Sequence, residues 1–296
     1  MLDRLPPNIA GALLMMASMA AFTINDTFVK LVGQTIPLFQ LLTLRAALAT
    51  ILLAILTLRL GKFSLTMPRR DWWLVGLRCI AEIAAAYFFL SALLAMPLAN
   101  VTAILQVLPL TVTLGAALFF REKVGWRRML AICAGFAGML LIVRPGPDGF
   151  TQHALYALAA VGMVTVRDLV TRRMSAAVSS LTVTVLTSAS ILVFFGFASF
   201  TIQWQPVSVH EGALIVASAV FVIGGYTFSV MVMRVGEVSV VAPFRYTGLL
   251  WALLLGWLVF GDWPDALTML GASIVVGSGL FTLYRERRVR SRKTPA

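Results

Sequence analysis

The chain has little charge, little cysteine and little histidine, and each shortage closes off a class of protein. Only 12% of the 296 residues are charged and 60% are apolar, whereas a soluble domain carries about a quarter charged residues, so the solvent implied is a bilayer. The two cysteines, Cys79 and Cys133, both fall inside apolar runs and indicate neither a disulfide framework nor a thiolate metal site. The two histidines, His153 and His210, stand alone. There is no His-x-x-x-His pair, no glycine loop with a phosphate-binding lysine and no G-x-S-x-G elbow. No cofactor or metal is therefore expected, ATP is not expected as the direct energy source, and the chain is not read as an enzyme. No small-residue cleavage site follows the first apolar run, which is read as a retained anchor rather than a signal peptide. The net charge of +12 does not imply nucleic acid, because the basic residues sit between apolar runs instead of gathering on one soluble face.

What is present is long apolar runs, ten of them. They are Ile9 to Val29, Leu38 to Leu58, Trp73 to Ala95, Leu98 to Phe120, Trp126 to Val143, Ala154 to Val170, Val178 to Phe200, Ala213 to Met233, Val238 to Phe260 and Ala266 to Tyr284. Each is near the length that spans a hydrocarbon core of about 30 Å, and the sixth, interrupted by Arg167-Asp168, is the least regular. With an inside amino terminus, eighteen lysines and arginines fall in inner segments, while the outer ones hold only Lys30 and Arg144. That bias puts both termini in the cytoplasm of a cell whose inner membrane holds the protein. Trp72, Trp73, Trp126 and Trp263 lie at run ends and suit the interfacial belt, and Ala131 and Gly135 suit close helix packing.

Two sequence echoes divide the chain. Pro97 through Glu122 runs parallel to Glu237 through Asp262 at an offset of 140, and Asn25-Asp26-x3-Lys30 overlies Arg167-Asp168-x3-Arg172 at an offset of 142. The expected architecture is an all-α polytopic membrane protein with ten transmembrane helices as two five-helix repeats, 1–145 and 146–296, joined at Pro145-Gly146-Pro147-Asp148-Gly149. An odd number of spans per repeat inverts the second copy, an arrangement that in secondary transporters places the substrate near mid-depth.

Charges within the spans are the candidate chemistry, because a charge in hydrocarbon is costly. Arg245, followed by Tyr246, has the unlike Leu105 as counterpart, and Arg45 has Thr187, so an asymmetric ligand with a carboxylate, phosphate or polarised carbonyl is one reading. A carbonyl-bonded arginine holding helices together is the other. Arg78 and Glu82 share a helix face four residues apart, either as substrate contacts with Glu82 carrying a proton or as a structural ion pair. Asn25, Asp26 and Lys30, with Asp168 and Arg172, are matched gates or simple helix-end pairs. Tyr87, Gln106 and Trp251 either line a cavity or pack.

These features together resemble the drug/metabolite transporter superfamily, specifically its EamA branch. The resemblance is carried by Asn25-Asp26-x3-Lys30, by Arg45, by Pro97-Leu98-Ala99-Asn100-Val101-Thr102-Ala103 and by Glu122. Ala242-Pro243-Phe244-Arg245-Tyr246, Leu249-Leu250-Trp251-Ala252 and Gly261-Asp262 add to it, with Asp262 standing where the pattern usually has glutamate. The patterns of the first and ninth spans look most like members that take up S-adenosylmethionine or riboflavin. That implies a small-molecule substrate, the lipid bilayer as partner and a homodimer as one allowed assembly. Export of amino acids or toxic compounds is the alternative within the family. An intramembrane enzyme on lipid-linked substrates is the alternative outside it, and it needs two of Glu82, Asp26 and Asp168 facing one open cavity.

Overall fold

A computed structural model describes residues 6–59, 65–121, 125–144, 151–175, 178–235 and 241–291. The Pro145–Gly149 linker, Glu122 and the first residues of the ninth run lie outside them. The described residues form helices and no strands, as hydrocarbon requires, since a spanning segment there must satisfy its backbone groups internally. The helices are α1 (Pro7–Val32), α2 (Leu38–Arg59), α3 (Arg69–Ala95), α4 (Leu98–Leu105), α5 (Leu108–Phe120), α6 (Trp126–Val143), α7 (Gln152–Arg173), α8 (Ser180–Ala198), α9 (Val209–Val235), α10 (Thr247–Phe260) and α11 (Ala266–Ser291). Short 3-10 turns at Ser199–Thr201 and Ala242–Tyr246 extend α8 and precede α10. Nine spans among the described residues have the length and composition to cross a membrane, and Met129–Val143 is a shorter apolar helix. The chain is an all-helical, multi-pass membrane protein, and α7 runs without a break through Arg167-Asp168.

Helix ends follow local chemistry. Ser208 and Glu211 form a reciprocal capping box at α9: Ser208 N–H donates to Glu211 Oε2 at 2.7 Å, and Glu211 N–H donates to Ser208 Oγ at 3.2 Å. Residue 261 ends α10 in the left-handed region at φ +70°, which glycine adopts freely. At the equivalent end of α5 the same conformation is held by Arg121, at φ 54°, and an L side chain there carries a steric cost of about 1 kcal/mol. Asp265 caps α11, accepting from Thr268 N–H at 2.8 Å, and pairs with Arg144 after the end of α6.

The chain packs into two compact units, one of Met1–Thr27, Ala95–Leu155 and Val220–Ala296, the other of Phe28–Leu94 and Tyr156–Ala219. Each takes helices from both halves of the sequence, so the packing units are different objects from the halves 1–145 and 146–296. In the first unit α6 lies against α11 at close range. A Cβ on Gly138 would stand 2.8 Å from the Gly271 carbonyl oxygen, so only glycine lets the two backbones approach this far. Gly135 is likewise covered by Leu110 and Ser278. In the second unit α2 lies against α8, joined by a Thr50–Ser188 hydroxyl pair at 2.8 Å. The Gln40 amide exchanges two bonds with the Gln205 backbone, at 2.8 and 2.9 Å.

Arg121→Gly should raise stability by about 0.5–1 kcal/mol, read from thermal unfolding in detergent, because the left-handed cap then costs nothing sterically. The Thr268 N–H and then the Arg144 guanidinium hold the Asp265 carboxyl below its ordinary value. Its contribution is thus fully present above the unfolded carboxylate value of about 3.9 and is lost as pH falls through the lower folded one. The gap in unfolding midpoint between wild type and Asp265→Ala should be flat above about pH 5 and shrink below about pH 4.

Candidate functional site

In the first unit two transmembrane segments depart from regular α-helix through tight turns, and both turns fall at the same register. Pro109 cannot donate to the Leu105 carbonyl, so α4 gives way to α5 through a tight turn in which Val107 N–H bonds to Ile104 O at 3.1 Å. The turn centres on Gln106-Val107; 140 residues on, at Tyr246-Thr247, the 3-10 turn opened by Pro243 gives way to α10. The breaks meet at Gly248, where a Cβ would lie 3.6 Å from Gln106 Nε2 and 3.6 Å from Met19 Sδ.

Polar groups around these breaks are buried without partners. Among the described residues the Tyr246 hydroxyl and the Trp251 indole N–H have no hydrogen-bond partner, and neither does the Asn100 side-chain oxygen. Tyr246 is only 6% exposed and its hydroxyl rests on the backbone of Gly279, where any Cβ would overlap it. An unmade bond of this kind costs about 1–3 kcal/mol for each group, which a ligand supplying acceptors would recover. Gln106 is buried beside them, and Arg245, next to Tyr246, is exposed. Asn25 is also in this unit: its amide donates to Asp26 Oδ1 at 2.8 Å, and its own oxygen is buried without a partner.

The second unit holds a cluster of four charges, at the middle of α3 and in the last two turns of α7. The Arg167 Nη1 lies 3.2 and 3.4 Å from the two oxygens of Glu82, and Arg167 Nε donates to Asp168 Oδ1 at 2.8 Å. Arg78 reaches Glu82 at 4.0 Å and donates to Thr171 Oγ1 at 2.6 Å, while Thr171 donates to the Arg167 carbonyl at 2.7 Å. Two cations and two anions make the cluster neutral, which is how such groups are tolerated at this depth. Trp73 and Ile80 mark the outer face of α3, at 75% and 65% exposure. At about 100° per residue Arg78 and Glu82 point away from that face, so the charges turn toward protein and not lipid.

The sequence-derived candidates are distributed unevenly over these two groups. Arg78 and Glu82 come together, but Arg167 is the nearer partner of Glu82, and Arg167 also holds Asp168, which the spacing had set beside Arg172. Lys30 is buried and donates to the Leu93 carbonyl at 2.9 Å, tying α1 to the last turn of α3. Tyr87 is surrounded by the rings of Phe39, Phe88 and Tyr156, with centroids 5.5–6.1 Å away. Arg45 is half-buried on α2, in the unit of the charge cluster, whereas Arg245, Tyr246, Gln106 and Trp251 belong to the other unit. Arg167, Thr171, Gly248 and Gly279 were not among the candidates. Arg167 was discoverable, because Arg78, Glu82, Arg167 and Asp168 are span charges that sum to zero; the two glycines carried no signal.

The profile of the EamA-like transporter family matches residues 9–144 and again 152–284. An S-adenosylmethionine uptake transporter of Rickettsia bellii is 23% identical, with 93% of this chain and 94% of the relative covered. A riboflavin transporter of Vibrio cholerae is 29% identical, with 96% of each covered. A pseudopaline exporter of Pseudomonas aeruginosa is 25% identical over 90% of this chain and 93% of its own. A protein solved by crystallography shares the fold with a TM-score of 0.64 at 16% identity, covering 95% of this chain and 98% of that one.

Arg167→Gln should destabilise by about 2–3 kcal/mol, since it leaves Glu82 only the longer contact to Arg78. Adding Glu82→Gln should restore most of the loss. A double-mutant cycle on unfolding in detergent measures this, and simply additive losses would mean that the two side chains are not coupled.

Proposed function

Since the chain belongs to the EamA-like transporter family, we propose that it is a secondary transporter of the cytoplasmic membrane that takes up a heteroaromatic metabolite, of the riboflavin or S-adenosylmethionine kind, by alternating access. The observation that carries this reading is the meeting of two tightened helix segments around unpartnered buried donors, the Tyr246 hydroxyl and the Trp251 indole N–H. Broken membrane helices present polar groups where a substrate can use them. Ring nitrogens and carbonyls of a flat heteroaromatic would accept from those donors, while Tyr246 and Trp251 supply ring faces. Gln106 adds an amide, and Arg245 supplies a cation for a carboxylate or phosphate.

The Arg78–Glu82–Arg167–Asp168 cluster is the element that exchanges ion-pair partners as access alternates, and Glu82 is the group through which protons couple to it. Arg45 is a further cation for an anionic substrate group, and Tyr87 a ring beside the route. Asn25, Asp26, Lys30, Asp168 and Arg172 act as gates near the ends of α1 and α7. The lysine and arginine bias between segments supports cytoplasmic termini. Export is the second reading, and the Pseudomonas aeruginosa pseudopaline exporter, at 25% identity, is what favours it. The intramembrane enzyme reading has less behind it: Glu82 and Asp168 share one guanidinium, which occupies the space a substrate would need between a carboxylate pair.

Uptake of labelled riboflavin and S-adenosylmethionine into proteoliposomes tests the proposal. Arg245→Ala should lose at least about tenfold in transport while still folding and inserting. Tyr246→Phe, which removes one hydroxyl, should weaken apparent affinity by roughly two- to tenfold. Near-normal transport by Arg245→Ala removes that contact, and efflux of amino acids without saturable uptake of either metabolite reverses the direction.

A further inference from the structure

A second feature of the first unit lies away from the broken helices. Between α6 and α11 runs a cavity of about 550 Å³, lined by Trp126, Arg127, Leu130, Ala134, Gly277 and Phe281 among others. It is open because its floor is made of small residues: a Cβ on Gly277 would touch nothing within 4 Å. Apart from Arg127 and Ser278, whose hydroxyl donates to the Val275 carbonyl, the lining is apolar, and from Arg127 to Ala134 it descends about 10 Å along the helix axis, from the first turn of α6 into hydrocarbon depth. Trp126 is 67% exposed, and the Arg127 guanidinium stands 5.2 Å from the centre of its ring. An aromatic and a cation at this level are interfacial residues, and the trough below them faces away from the rest of the unit.

We propose that this trough is a binding site for an anionic phospholipid, with one acyl chain in the groove and the headgroup phosphate on Arg127. Charge selects the occupant. The α6 residues at the mouth meet the carboxyl-terminal part of α11, where Arg285 lies one turn beyond the lining residue Phe281, so Arg127 and Arg285 stand at the same end of the helix pair. A zwitterionic headgroup gains little from such a concentration of positive charge, whereas a phosphatidylglycerol or cardiolipin headgroup is drawn to it. A second copy of the chain docked here about a twofold axis would set the two basic clusters against each other, which like-charge repulsion opposes. The site is independent of the transport reading, since none of its residues lies at the broken helices or in the charge cluster.

The test is a lipid titration of the full chain in delipidated micelles, followed by native mass spectrometry, with phosphatidylglycerol and phosphatidylcholine of the same acyl chains as probes. Wild type should retain phosphatidylglycerol in preference to phosphatidylcholine. Arg127→Gln, on an exposed residue, should weaken phosphatidylglycerol about fivefold, the equivalent of about 1 kcal/mol, and leave phosphatidylcholine unchanged. Gly277→Leu should fill the trough and weaken both lipids. Equal retention of the two lipids by wild type overturns the proposal, as does unaltered phosphatidylglycerol binding by Arg127→Gln. A lipid-free dimer that Gly277→Leu dissociates would instead make the trough an interface between two copies and overturn it as well.

Discussion

The Arg167 guanidinium, shared between Glu82 and Asp168, is the interaction on which the second unit depends. A single unpaired charge within a membrane span would cost several kcal/mol. Placing two arginines and two carboxylates within reach of each other turns four costs into one neutral network, completed by Thr171 bridging from Arg78 to the Arg167 carbonyl. That closure is what allows α7 to continue as one helix through a dipeptide that interrupts its apolar run. It also holds α3 and α7 to each other through directional bonds, so any motion that separates them must supply replacement partners. A network of this kind has a small number of discrete arrangements.

The first unit meets the same constraint in the opposite way, by leaving bonds unmade. Two segments leave regular α-helix there, and the groups buried around these turns are tyrosine, tryptophan, glutamine and asparagine side chains, with Arg245 exposed beside them. Glycine makes the arrangement compact at residue 279, where the absent Cβ leaves room for the Tyr246 hydroxyl. Strong ion pairing in one unit and unsatisfied neutral donors in the other fit a division of labour. Ions are paired off in the one, and neutral donors are left without acceptors in the other.

Away from both groups, the packing of α6 on α11 shows how small residues serve two ends. Gly138 and Gly271 bring the backbones together, and one to two turns away Gly277 and Ala134 leave the surface hollow where Trp126 and Arg127 reach the membrane boundary. The same loss of side-chain volume thus fastens the helices at one level and opens a lipid-facing trough at another.

Hydropathy and loop charge alone determined that this is a multi-pass helical membrane protein, because a segment of about twenty apolar residues has no other stable environment. The Arg78–Glu82 pairing was also legible, since four residues on a helix always share a face. Spacing along one helix could not show Arg167 reaching across from α7, for that contact joins residues 85 apart and exists only once α3 and α7 pack. Nor did the prolines reveal that the breaks align: Pro109 follows one break and Pro243 precedes the other, so the match at Gln106 and Tyr246 appears only in the backbone. Gly279 reads as an ordinary small residue until the Tyr246 side chain that crowds it is in place. Composition decides the solvent and the secondary structure, because those depend on each segment by itself. Partners of buried polar groups depend on which segments meet, and only the tertiary structure decided that.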